Sequence, residues 1–214
     1  MALSFGRVKN YGEWIRPRIV CNALKILEKE LLKYHPEEVH LSLTTDPFMY
    51  DHRKGELITE VKNLTLSIIE LLNSRGIRVV TLTKGYYPEE LMDTRFKRIN
   101  LFGISIVSLN PGFKKKFEPF SAPYELRIRS LWKLHRYGYN TWVNIEPYPV
   151  PEIDPTSVNI ENLLNRLKFV DKIRIARWNY NSFVKKRSKD FYKLIAEKAW
   201  KFCETSKIEC EIDL

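Results

Sequence analysis

Cysteine is scarce in this chain, and its spacing excludes the usual roles. Cys21, Cys203 and Cys210 are the whole supply in 214 residues. They are too scattered for a C-x-x-C metal knuckle or a disulfide framework, so each reads as a free thiol packed like a small apolar group. Glutamine is absent while Lys, Glu and Ile are abundant, a bias that suits a thermophile. No apolar run approaches about 18 residues, so no transmembrane helix is expected. Met1 to Arg7 lacks the long apolar stretch of a secretory signal, and the expected location is the cytoplasm. Neither G-x-G-x-x-G nor a Walker loop is present, which weakens a nucleotide-phosphate site of those types.

What is present is enough apolar material for a sizeable core, at 44% of residues, and a net charge of +10. A basic balance permits nucleic acid, an anionic membrane or an anionic small ligand as partner and does not choose among them. Charges of both signs share one segment at Lys25, Glu28, Lys29 and Glu30, the pattern of a solvated face.

Hydrophobic periodicity alternates between helix and strand. Arg18 to Tyr34 has helical spacing with Pro17 at its first turn, and Val39 to Leu43 reads as a strand. Helix is predicted again over 57–74, around 89–93, and over 123–137, 159–167 and 189–203. Strands are predicted at 79–82, 100–107, 141–145 and 172–176, with a further one at 210–212. The expected fold is therefore α/β, a partial parallel β/α barrel of five or six strands. One domain over residues 1–214 is expected, because no linker or repeat interrupts it. The loop 148–155, with three prolines, reads as an ordered crossing loop.

Polar residues gather where the apolar runs stop, as at the C-terminal mouth of a barrel. Thr45 and Asp46 follow the first run, and Asp46 either accepts a ligand's amino group or opens a turn with Pro47. Lys84, before Gly85, either faces the mouth as a point charge or lies solvated on the surface. Ser108 either offers its hydroxyl or starts the loop Ser108-Leu109-Asn110-Pro111. Arg127, one turn into its helix, either binds a carboxylate, holds Glu118 or is exposed. Glu146 ends the strand 141–145. Arg177, Trp178 and Tyr180 follow the last clear strand, either to stack on and pair with substrate or to pack over the rim.

The ordered set Leu43-Thr44-Thr45-Asp46-Pro47, Leu82-Thr83-Lys84, Ser108-Leu109-Asn110, Phe117-Glu118-Pro119, Ser121, Arg127-Ile128 and Gly138-Tyr139 resembles the radical S-adenosylmethionine superfamily. The nearest branch resembles spore photoproduct lyase and its relatives. The resemblance covers nearly the whole chain from Phe5 onward, and it implies S-adenosylmethionine as cofactor. Thr45 and Asp46 would take its amino group, and Lys84 and Ser108 its carboxylate. Arg127 and Glu146 would complete the cofactor site, although in the family the position of Glu146 mainly offers backbone to adenine.

The resemblance also implies a [4Fe–4S] cluster held by three cysteines spaced C-x3-C-x2-C after an opening strand. Neither the triplet nor that strand appears. The economical expectation is a chain truncated at its N-terminus, and the alternative is a relative that lost the cluster. Reductive cleavage of S-adenosylmethionine is then expected only with the missing piece. The competing function is a cluster-less module binding S-adenosylmethionine, a nucleotide or nucleic acid. With no opening strand, the strand beginning at Val39 has an open edge, and self-association through it is expected. No metal-ligating residues are assigned.

Overall fold

The computed structural model describes residues 6, 8–14, 19–179 and 182–214. After a short helix α1, Tyr11–Trp14, and α2, Ala23–Glu30, the first strand is β1, Glu38–His40. A small antiparallel hairpin follows, β2 (Tyr50–Asp51) and β3 (Glu56–Leu57). Then come α3 (Thr59–Ser74), β4 (Arg78–Thr83) and β5 (Leu101–Ser105). Next are α4 (Pro111–Phe117), α5 (Tyr124–Arg136), β6 (Asn140–Tyr148) and α6 (Ile160–Leu167). The fold ends with β7 (Lys172–Arg177), α7 (Ser182–Ser206) and β8 (Glu209–Asp213).

Six strands form one sheet in the order β1-β4-β5-β6-β7-β8, and every pairing is parallel. Chain order is sheet order, so each crossover advances one place, and all the strands' C-terminal ends lie at one mouth. This is the expected α/β partial barrel.

Alternate residues of each strand meet different surroundings. Phe102, Ile104, Val143, Ile145, Ile173 and Ile175 share one face, are fully buried, and belong to the core built with α3, α5, α6 and α7. The other face has Leu82, Gly103, Trp142, Lys172 and Glu209 in register across five strands. One layer nearer the mouth lie Ser105, Asn144, Arg174 and Glu211. A closed barrel fills its interior with branched apolar side chains. Here the inner face is polar and charged over β6, β7 and β8, and it stays part-exposed.

Several boundaries differ from the sequence expectation. The first strand stops before Leu43 because Ser42 has φ +59° and turns the chain away; Leu43 is left 83% exposed. The helix expected from residue 57 begins at Thr59, because Glu56–Leu57 pairs in the hairpin. Residues 111–117 form α4, a helix absent from the sequence expectation, which has only a loop starting at Ser108–Pro111. Pro111 stands at its first position, and the Asn110 side chain accepts from Gly112 N at 2.9 Å. The final helix starts seven residues earlier than expected, at Ser182. Pro17 and Tyr180 lie outside the described residues.

Candidate functional site at the sheet mouth

The residues after β1, β4 and β5 converge on one another. Asp46 Oδ1 accepts from Thr83 Oγ1 at 2.6 Å and from Phe48 N at 2.9 Å, and its Oδ2 accepts from the Lys84 backbone N–H at 2.8 Å. The Asp46 carboxylate thus staples the loop after β1 onto the end of β4. Gly85 makes this approach possible, because a Cβ there would lie 1.8 Å from the carbonyl oxygen of Phe48.

The Lys84 ammonium points the other way. It donates to Ser105 Oγ at 2.6 Å and to Glu118 Oε1 at 2.9 Å. The second oxygen of Glu118 accepts from Arg127 at 2.8 Å. Arg127 is fully buried and also donates to the carbonyls of Ala122 and Ser105, at 2.9 and 2.8 Å, and to the Ser121 hydroxyl. Burial opposes ionisation of Glu118, yet Lys84 first and Arg127 next outweigh it and hold the carboxyl below the usual carboxylate range. Burial, with Glu118 second, pushes the Tyr124 phenol up, and its hydroxyl has no hydrogen-bond partner among the described residues.

The structure divides the sequence candidates into groups. Asp46, Lys84 and Arg127 belong to one chain of contacts through Ser105 and Glu118. Thr45 stands beside Asp46 and is exposed. Ser108 joins a second cluster: it donates to Asp154, whose other oxygen accepts from Asn110 Nδ2 at 2.9 Å and Thr156 Oγ1 at 2.8 Å. Burial opposes the ionisation of Asp154, and the Asn110, Ser108 and Thr156 hydrogen bonds together hold its carboxyl down. The hydroxyl beside Lys84 is therefore that of Ser105 and not that of Ser108. Glu146 pairs with Arg174, which also reaches Glu211 at 3.0 Å. Arg177 is exposed at the end of β7. Trp178 packs edge-on against Phe113 and Phe117 of α4.

Glu118, Ser105, Asp154 and Arg174 are not among the site residues expected from the sequence. Ser105 carried a signal, being the one polar residue in an apolar strand with the parity that faces the barrel interior. Asp154 in a loop with three prolines carried none.

No family model and no curated protein matches this chain. Its fold is nevertheless seen in solved structures. A double mutant of spore photoproduct lyase with bound AdoMet and dinucleoside spore photoproduct superposes with a TM-score of 0.61, over 87% of this chain at 15% identity. Spore photoproduct lyase complexed with dinucleoside spore photoproduct gives 0.59, over 87% of this chain at 16% identity. The chain spans 64% of the length of those lyase chains. SuiB from Streptococcus suis, at a TM-score of 0.48 and 13% identity, is matched over 82% of this chain and 38% of its own. The chain shares with these lyase structures an α/β fold, a six-strand parallel sheet in the form of a partial TIM-like barrel.

The cysteines do not fit an iron–sulfur cluster. Cys21 is exposed near α2, while Cys203 and Cys210 meet between α7 and β8. Among the described residues no three His, Cys, Asp or Glu side chains are grouped to hold a metal ion. At the mouth, Lys84 and Asp46 each keep hydrogen-bonding capacity. An ammonium has three donors, and Lys84 spends two on Ser105 and Glu118. Oδ2 of Asp46 takes one donor and keeps a lone pair. The Lys84 side chain remains 41% exposed.

Proposed function

We propose that this chain is the greater part of a radical S-adenosylmethionine-type barrel whose mouth takes the amino-acid head of S-adenosylmethionine. The observation that carries the reading is the convergence of Asp46, Lys84, Ser105 and Glu118 at the ends of β1, β4 and β5. Lys84 offers its remaining N–H to the ligand carboxylate, and Asp46 offers its remaining lone pair to the ligand amino group, with Thr45 beside it. Glu118 and the buried Arg127 act through Lys84 by aiming it. Ser108 and Glu146, each held in its own cluster, border the ribose and adenine end. Arg177 and Trp178 line the substrate side of the rim; Tyr180, the third residue expected there from the sequence, lies outside the described residues.

Reductive cleavage of the sulfonium needs a cluster that these cysteines do not bind, so no redox step is assigned to the chain by itself. Binding is the function its own residues support, and catalysis would require a segment carrying three thiolates. Calorimetric titration with S-adenosylmethionine and S-adenosylhomocysteine tests the reading. Loose binding is expected, weakened in both Lys84→Ala and Asp46→Ala. Wild-type binding unchanged by either substitution would put the ligand elsewhere. A second reading, a nucleic-acid surface, is favoured by exposed Phe117 and Phe120 beside Lys115 and Lys116 at the same mouth.

A further inference from the structure

Two of the three cysteines lie in one helix–turn–strand unit. Cys203 is in the last turn of α7, and Cys210 is the second residue of β8. The turn between them is closely specified. Ile208 N donates to Cys203 O at 3.0 Å, Lys207 N donates to Glu204 O at 3.3 Å, and Lys207, at φ +57°, reverses the chain. Strand register then decides where Cys210 points. It is in register with Ile173, which is fully buried on the sheet face that packs with α7. Cys210 therefore turns toward α7, packs against the core, and meets the buried Cys203 there.

We propose that Cys203 and Cys210 are a modification site, a dithiol that small-molecule disulfides oxidise to an internal bridge. Cys210 is the part-exposed member. As a thiolate it attacks one sulfur of the small disulfide, whose S–S bond breaks and releases one thiol. Cys203 then attacks the Cys210 sulfur, the protein S–S bond forms, and the second thiol leaves. Two electrons pass from the cysteines to the reagent, and the two cysteine protons end on the two released thiols.

Packing alone does not call for this pairing, since a buried thiol can lie against any apolar neighbour. Here the neighbour is a second sulfur, and the two hydrogen-bond. The first proton leaves the pair more readily than an isolated thiol's, because the remaining S–H bonds the thiolate, and the second leaves much less readily. A proton moving along that bond lets either sulfur carry the charge, and thiolate is the reactive form. Cys21, exposed ahead of α2, stands apart from both.

Closure reaches the inner face of the sheet. Glu209 and Glu211 flank Cys210 and point to the opposite face. There Glu209 pairs with Lys172 at 2.8 Å, and Glu211 pairs with Arg174 at 3.0 Å. A bridge at Cys210 fastens both carboxylates to α7, and through Arg174 it steadies Glu146 as well. The contact involves only α7, β8 and the turn between them, and the inference does not depend on what the mouth binds.

Incubating the folded full chain with oxidised glutathione tests it, followed by tryptic mapping without reduction and by counting free thiols after denaturation. Trypsin cuts after Lys201 and Lys207, so the two sulfurs leave on separate peptides, 202–207 and 208–214. In the oxidised wild type these peptides should appear joined. Cys21→Ser removes the exposed thiol, and in that variant the count should fall from two to none with no gain of glutathione mass. Cys210→Ser should abolish the joined peptides. Far-UV circular dichroism checks that the oxidised chain keeps its fold. Peptides that stay separate, whether as free thiols or as glutathione adducts, would overturn the inference. So would a bridge that forms only in urea, or one that joins Cys21 to either partner.

Discussion

The Lys84 ammonium sits 2.9 Å from Oε1 of Glu118, and the opposite oxygen of that carboxylate is held 2.8 Å from Arg127. One carboxylate thus bridges a fully buried cation and a part-exposed one. The arrangement anchors the Lys84 ammonium while the side chain as a whole stays part-exposed.

Glu118→Gln should destabilise the fold by about 3 kcal/mol, because it strips the buried Arg127 of its countercharge. It should also flatten the acid limb of the stability curve. Glu118 has its folded-state pKa depressed, so its contribution is present above the unfolded value of about 4.3 and is lost as pH falls through the folded value. Urea unfolding between pH 7 and pH 3 measures both effects. A variant with the wild-type slope below pH 5 would show that Glu118 is not the linked group.

Lys84→Ala should be milder for stability than Glu118→Gln, since Glu118 keeps Arg127. Its effect belongs in binding: a loss of about 10- to 100-fold in S-adenosylmethionine affinity, the worth of one charged hydrogen-bond partner. Lys84→Arg should recover only part of it, because a planar fork does not replace a point charge held between Ser105 and Glu118. Titration calorimetry on the three proteins separates these outcomes.

Gly85→Ala should damage fold and site together. The added methyl would meet the Phe48 carbonyl oxygen at 1.8 Å, and backbone cannot rotate aside as a side chain can. The segment carrying Asp46 must shift, at a cost of about 1–3 kcal/mol or more. Thermal unfolding should show the loss, and ligand binding should fall with it even though no ligand-facing side chain has changed.

Asn100→Ala provides the contrasting case at the far end of the sheet. Asn73 and Asn100 exchange side-chain hydrogen bonds of 2.8 Å in both directions, and Asn100 Oδ1 also accepts from Val79 N at 3.0 Å. Removing it leaves buried polar groups without partners, costing about 1–3 kcal/mol. Ligand affinity of the folded fraction should stay at the wild-type value.

Anaerobic reconstitution of the chain with iron and sulfide should produce no stoichiometric cluster absorption. Cys203 and Cys210 share one contact, Cys21 stands in a different part of the chain, and three thiolates are needed. A cluster bound at one per chain would contradict the site described above.

The sequence by itself determined the architecture. Runs such as Arg78–Thr83 and Lys172–Arg177, separated by amphipathic helices, allow only parallel crossovers, because an apolar strand and an apolar helical stripe must cover each other. It also marked Asp46 and Lys84, since a charged residue at the end of an apolar run stands out against its neighbours. Pairing partners were not legible. Ser108 was expected beside Lys84, and the hydroxyl found there belongs to Ser105, because strand parity and the reach of a lysine are settled only once β4 and β5 are in register. Asp154 is 44 residues from Asn110, its hydrogen-bond partner. The burial of Arg127 beneath Glu118 likewise follows from how α5 packs on β5. Local spacing specifies which elements form, while contacts between distant residues depend on the three-dimensional register that brings them together.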